Sequence, residues 1–174
     1  MNQRDGMAMA VWILVVMCAL GATNTDAAAQ IPISSIEELQ KIGNDPAYPL
    51  NGNYALTQDI DASGTAIWND GAGFEPIGRD WSSAFTGTFD GQGHVIMGLQ
   101  INRPDPRYIG LFGCVSGNGH IANVAVVNGA VTGNSHVGGL VGYNYGTITS
   151  CYATGAVTGN SSVGGLVGYG YGTV

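Results

Sequence analysis

Apolar residues recur along this chain in short clusters rather than at helical spacing. In "HVGGLVGY" (136–143), "GTITSCYAT" (146–154) and "GAVTG" (129–133), β-branched or aromatic residues are bounded by Gly, Asn or Ser. Each cluster predicts a short strand that ends in a turn. Upstream, "FTGTFDGQGHVIMGLQI" (85–101) predicts two strands joined at Asp90-Gly91-Gln92-Gly93. Phe85 and Phe89 share one face of the first, and Val95, Met97, Leu99 and Ile101 alternate along the second. "YALTQDIDA" (54–62) predicts a further strand. The helical exception is "SIEELQKIGN" (35–44), where Ser35 and Glu38 have capping-box spacing. There Ile36, Leu39 and Ile42 fall on one side and Gly43 stops the helix.

The strands repeat. Residues 129–148 return at 155–174 with three differences: His136 against Ser162, Asn144 against Gly170 and Ile148 against Val174. A more worn copy lies upstream, where "IGLFG" (109–113) answers "GGLVG" (138–142) and "HIANVAVVNGAV" (120–131) answers "TITSCYATGAV" (147–157). Its extra residues are expected in a turn. Three strands per repeat make one coil, and coils stacked at about 4.8 Å place each strand beside its equivalent. The fold class expected is all-β: a right-handed parallel β-helix, or solenoid, covered at its start by the short N-terminal capping helix and uncapped at its C-terminal end. In that stack Leu111, Leu140 and Leu166 line the core, and Gly139, Gly142, Gly165 and Gly168 allow tight turns beside them. Asn134 over Asn160 and Tyr143 over Tyr169 form ladders of like side chains. An open last coil is expected to self-associate through its unpaired edge.

Composition narrows the picture. Charged residues make up only 10% of the chain, glycines number 29, and the net charge is −7. Nucleic acid is excluded as a partner, because phosphate binding needs a basic surface. The start, with Arg4, an apolar run over 7–20 and Ala27-Ala28-Ala29, has the layout of a secretory signal cleaved after Ala29. The run is too short to span a bilayer, and acylation at Cys18 is disfavoured by Met17. The organisation expected is therefore a signal peptide at 1–29, a cap helix with first strands and loops at 30–84, and coils at 85–174. Within the coils, 109–128 is degenerate, 129–154 complete and 155–174 incomplete. The mature chain is secreted or at the cell surface, with no membrane span. Cys114 and Cys151 either form a disulfide or remain packed thiols.

The cores Gly110-Leu111-Phe112-Gly113, Gly139-Leu140-Val141-Gly142 and Gly165-Leu166-Val167-Gly168, with "FEPIG" (74–78) before them, resemble the GLUG-motif repeat proteins. The resemblance spans roughly 33–174. It implies a right-handed β-helix in exported bacterial or archaeal proteins, often surface or adhesin-like, and in the non-catalytic N-terminal regions of immunoglobulin A1 metallopeptidases. It brings no catalytic residues with it. Two departures, Gly170 in place of the asparagine at Asn144 and the unfinished last copy, imply the head of a longer protein or a truncated gene.

Candidate chemistry is sparse. A zinc peptidase needs two imidazoles on one helix face beside a carboxylate, whereas His94, His120 and His136 are isolated. Asp59 and Asp61 share a strand face and are weak calcium candidates; with Asp70, Glu75 and Asp80, and Arg79 as the basic residue, they are also where a carbohydrate-active enzyme would keep its carboxylates. Asp90 reads as a turn residue. Trp68 and Trp81 form either a glycan-stacking platform or a lid over the first coil. The function expected is a non-enzymatic structural or adhesion module without catalytic residues or cofactor, calcium apart. Its partner is an unidentified surface ligand, a glycan or a protein. The alternatives are a small polysaccharide lyase or glycosidase, or the appendage of a secreted peptidase.

Overall fold

A computed structural model describes residues 29–174; the apolar leader and Cys18 lie outside them. The chain opens with β1 (Ile31–Ile33), α1 (Ile36–Lys41), β2 (Asn53–Leu56), β3 (Ile60–Asp61) and a kinked 3₁₀ segment (Ser63–Gly71). It continues through β4 (Thr88–Asp90), β5 (Val95–Met97), β6 (Gln100–Asn102), β7 (Arg107–Ile109), β8 (Phe112–Val115) and β9 (His120–Ala122). The repeats supply β10 (Ala125–Thr132), β11 (Ser135–Gly138), β12 (Val141–Asn144), β13 (Thr147–Thr149), β14 (Tyr152–Thr158), β15 (Ser161–Gly164) and β16 (Val167–Gly170).

The fold is mostly β, and its strands pair in parallel in four sheets. These run β1-β2-β4-β9-β13, β3-β5-β10-β14 with β6 also on β10, β7-β11-β15 and β8-β12-β16. Repeat equivalents pair directly, with Val137 beside Val163, Val141 beside Val167 and Ala130 beside Ala156. Asn160 Nδ2 donates to Asn134 Oδ1 at 3.2 Å, the ladder expected from the echo.

Four details differ from the sequence expectation. "HVGGLVGY" is two strands on different sheets, bent at Gly139-Leu140, so a repeat contributes four strands rather than three. "YALTQDIDA" is likewise two, β2 and β3. In the strand after Gly93 the burial phase slips: Ile96 is buried and Met97 exposed, yet Leu99 and Ile101 are buried. Gly98, with φ +75°, makes the corner that resets the alternation. Lastly, the extra residues of the worn copy occupy two places. The turn after Val115 is longer than its counterpart after Asn144, since Val115 pairs Asn144 but His120 pairs Thr147. A bulge between Val126 and Gly129 takes up the rest.

The cap helix forms nearly as its spacing predicts. The Ser35 hydroxyl accepts from the Glu38 N–H at 3.2 Å, while the Glu38 carboxylate reaches one residue further back, to the Ser34 N–H at 2.7 Å and hydroxyl at 2.9 Å. Ile36, Leu39 and Ile42 are buried against the stack. Inside, Phe85 and Phe89 pack on Phe112 with centroids 5.1 and 5.3 Å apart, and Leu111 and Leu140 are fully enclosed. The last repeat has nearly the same side chains without the same burial, as none of the described residues lies over it: Val137 is 0% exposed and its partner Val163 is 44%.

Candidate functional site

Asp61, Asp80 and Asp90 are engaged by their own turns, and Asp59 by the neighbouring strand β5 and the residue before it. Asp59 and Asp61 do share an exposed side, but Asp59 accepts from Val95 N–H at 3.0 Å and contacts His94 Nδ1 at 3.1 Å, while Asp61 accepts from Ser63 N–H at 2.9 Å. These hydrogen bonds hold both carboxyls below their usual range, the Val95 N–H first for Asp59 and Ser63 for Asp61. Asp90 binds Gln92 N–H at 2.9 Å, as a turn residue should, and Asn123 at 3.1 Å. Asp70 lies in the 3₁₀ segment with φ 56°. Asp80 accepts from Ser82 and Ser83 and lines a cleft of about 280 Å³ with Ile42, Leu50, Pro76 and Arg79, the single carboxylate there. Among the described residues no three His, Cys, Asp or Glu side chains are placed to hold a metal ion.

Among the described residues Cys114 and Cys151 are free thiols. Cys114 is enclosed, and burial pushes its thiol up to about 11. Cys151 donates to the Thr149 carbonyl at 3.2 Å.

The two tryptophans part company. Trp68 is half-buried and stacks on Phe74 at 6.5 Å, so it acts as a lid over apolar side chains. Trp81, 55% exposed, meets Tyr145 edge-on at 4.9 Å and Tyr143 at 6.2 Å. It thereby joins an array that the repeats build. Tyr143 and Tyr169 pair in register on β12 and β16 and stack at 5.6 Å with 10° between their planes. Tyr145 and Tyr171, two residues on, lie 5.5 Å apart. Each repeat ties its own pair together, Tyr143 to Tyr145 through hydroxyls at 3.1 Å and Tyr169 to Tyr171 at 2.8 Å. That bond, ahead of desolvation, holds the Tyr143 phenol well above its ordinary range.

Two further rings come from β7 and β11. Tyr108 lies 5.0 Å from Tyr143 and 5.3 Å from His136, which lies 5.3 Å from Tyr143 and 5.1 Å from Tyr169. Tyr108, His136 and Ser162 occupy one repeat position and all have left-handed backbone, with φ of 63, 55 and 52°. For residues with side chains this conformation is uncommon, and three in a column mark a feature the stack imposes. Burial, and then the charge of Arg107, hold His136 below the ordinary imidazole range, so it is neutral at pH 7.

Buried Asn144 supports the array from below. Its Oδ1 accepts from Gly146 N–H at 3.0 Å, fixing the turn that carries Tyr145. Gly170 stands at its place in the last repeat, where a Cβ would lie 2.0 Å from the Asn144 carbonyl oxygen. Asn144 itself pairs with Val115 at this repeat position, so the close approach belongs to the backbone that Gly170 adopts. Seven rings in all, Trp81, Tyr108, His136, Tyr143, Tyr145, Tyr169 and Tyr171, form one connected face. The Tyr143 over Tyr169 ladder and Trp81 were legible beforehand. Tyr108, His136, Tyr145 and Tyr171 were missed, although the alternation in "GYNYG" and "GYGYG" was a signal for the tyrosines.

Comparison with known proteins places the repeat. Residues 133–158 match the family profile described as the GLUG motif, so the chain carries that motif. Over 126 residues it is 46% identical to Halomucin of Haloquadratum walsbyi, covering 70% of this chain and 1% of that protein. Over 100 residues it is 42% identical to a protein of Evansella cellulosilytica provisionally named a Gly-rich membrane protein, covering 55% of this chain and 11% of the other. The chain therefore spans a small part of the curated relatives it matches. A crystal structure from Bacteroides ovatus, of a protein provisionally identified as an immunoglobulin A1 protease, superposes with a TM-score of 0.59 at 23% identity, over 74% of this chain and 38% of that one. That likeness concerns the fold. Among the described residues no helix is long and apolar enough to cross a membrane.

Proposed function

We propose that this chain is a non-enzymatic module of an exported surface protein, a right-handed parallel β-helix whose stack is the scaffold and whose aromatic face binds a glycan. The observation that carries the reading is the connected array of seven rings, built mainly from repeat positions and completed by Trp81. Tyrosine and tryptophan offer flat apolar area with a polar edge, and few rotatable bonds are lost on binding. Set side by side at mixed angles, with Tyr143 and Tyr169 near-parallel, such groups offer ring faces and edges to a sugar. The 26-residue repeat in parallel register supports the helical winding, and the name of the Evansella relative supports a location at the cell envelope. The non-enzymatic part draws support from Asp59, Asp61 and Asp80, each of which has its Oδ1 engaged by neighbouring donors.

Titrating the full chain with soluble polysaccharides by calorimetry tests this. A Trp81→Ala, Tyr145→Ala double variant is expected to lose binding by tenfold or more while keeping its thermal midpoint within a few degrees. Unchanged binding in that folded variant overturns the assignment of the face. Time-dependent release of reducing ends by the parent protein would restore the enzyme alternative.

A further inference from the structure

Positive charge is scarce in this acidic chain: beyond residue 29 its cations are Lys41, Arg79, Arg103 and Arg107. Lys41 lies over the Tyr48 ring. The three arginines all line one cleft of about 130 Å³, together with Glu75, Pro76, Pro106 and Tyr108. Their states differ. Arg79 pairs with Glu75 at 3.1 Å and donates to Asn44. Arg103 is held by backbone carbonyls, its Nε donating to Phe74 at 3.2 Å and its Nη2 reaching Gly73 at 3.5 Å. Carbonyls orient a guanidinium without cancelling its charge. Among the described residues neither Arg103 nor Arg107 has a carboxylate within 4.0 Å. The cleft therefore holds two uncompensated guanidinium groups, one of them pre-oriented, in a protein of net charge −7.

Tyr108 belongs both to this cleft and to the aromatic face, through Tyr143 and His136. We propose that the cleft takes an oxyanion, carboxylate or sulfate, carried by a sugar whose ring lies on the adjoining aromatic face; this rests on the glycan reading of that face. The guanidinium fork matches such oxyanions in bidentate geometry, which lysine would not. The cleft has room for an acidic substituent beside its guanidinium groups. The surrounding negative charge repels anions that lack this local match, so the ligand is a sugar with an acidic group beside a stackable ring rather than any polyanion.

The test is calorimetry on the full chain with three tetrasaccharides: hyaluronan for carboxylate, carrageenan for sulfate and cellotetraose as the neutral control. The parent protein is expected to bind an anionic probe at least tenfold tighter than the neutral one, and the preferred anionic arm identifies the oxyanion. Arg107→Gln, which removes no hydrogen bond found in the structure, and Arg103→Gln with Arg107→Gln are expected to bring the ratio to within twofold without weakening neutral binding. Equal binding of anionic and neutral probes by the parent overturns the cleft assignment and leaves the aromatic face standing. Discrimination that persists in both variants also overturns it. Failure of all three probes overturns both.

Discussion

Adding one methyl group to the repeat core, Gly142→Ala, tests whether the last glycine of each Gly-Leu-x-Gly element is set by the stack. A Cβ on Gly142 would lie 2.5 Å from Ile109 N, 2.6 Å from Tyr108 C and 2.7 Å from His136 O, and all three are backbone atoms. Gly168 meets Val137 N at 2.4 Å and Gly113 meets Gly78 O at 2.5 Å, so the constraint recurs in each copy. Ordinary contact begins near 3.4 Å, and backbone cannot rotate aside as a side chain can. The layers must separate locally. Overpacking costs about 1–3 kcal/mol, and stretched strand pairing puts this case at the upper end. With a urea dependence of about 2 kcal/mol per molar, the unfolding midpoint of the full chain, followed by tryptophan fluorescence, should fall by roughly 1 M or more. Gly165→Ala is the control. Its Cβ would meet nothing within 4 Å, whereas Gly139 at the same repeat position meets Gly165 O at 2.5 Å. With no clash and a less flexible unfolded chain, that variant should be neutral or slightly stabilising, by up to about 1 kcal/mol. A Gly142→Ala midpoint within 0.2 M of the parent, or an equal loss in Gly165→Ala, would refute the steric account.

Three further outcomes are expected. Leu140→Ala should cost about 2–5 kcal/mol and Leu166→Ala clearly less, because Leu140 is enclosed while Leu166 is half-buried; equal losses in urea unfolding would contradict the burial difference. Acid should destabilise the protein: hydrogen bonds from Val95, Ser63, Ser82 and Ser34 hold Asp59, Asp61, Asp80 and Glu38 below their usual range, so their contribution is full above the unfolded pKa of about 4. It is lost as pH falls through the lower folded values, and a thermal midpoint that stays constant from pH 6 to pH 3 would show that these bonds do not matter to stability. Finally, among the described residues β14, β15 and β16 pair on one side only, so the chain should self-associate with rising concentration; light scattering that finds only monomer at high concentration argues against this.

Much of the architecture was legible because the repeat writes its own register. Val141 over Val167 and Asn134 over Asn160 follow from alignment of the copies alone. The corners were not legible. Gly139-Leu140 bends "HVGGLVGY" and Gly98 shifts the burial phase after Met97, yet strand alternation carries no sign of where a chain will turn between sheets. The site was half legible. Trp81 was singled out together with Trp68, which the kinked 3₁₀ segment packs on Phe74. Tyr108 was invisible as a partner of Tyr143 because the worn copy offers no tyrosine alignment; only the pairing of β7 with β11 puts it there.

Stacking also explains where the two chemistries of the proposed ligand site must lie. Residues 108–174 contain no Asp, Glu, Lys or Arg. Like charges stacked about 4.8 Å apart repel by roughly 1 kcal/mol even in water, and by more beside a low-dielectric core, so a faithful repeat is a poor place for charge. Tyrosine has the opposite property: each copy improves the next by stacking on it, as Tyr143 does on Tyr169. A repeat can therefore extend an aromatic face but cannot supply a guanidinium to it. Any charged recognition has to come from the irregular chain that precedes the repeats. Arg107 is the last charged residue in the sequence, and Tyr108, the next residue, is a ring of the face. The arginine cleft lies where these two kinds of chain meet, with Tyr108 common to the cleft and the aromatic face.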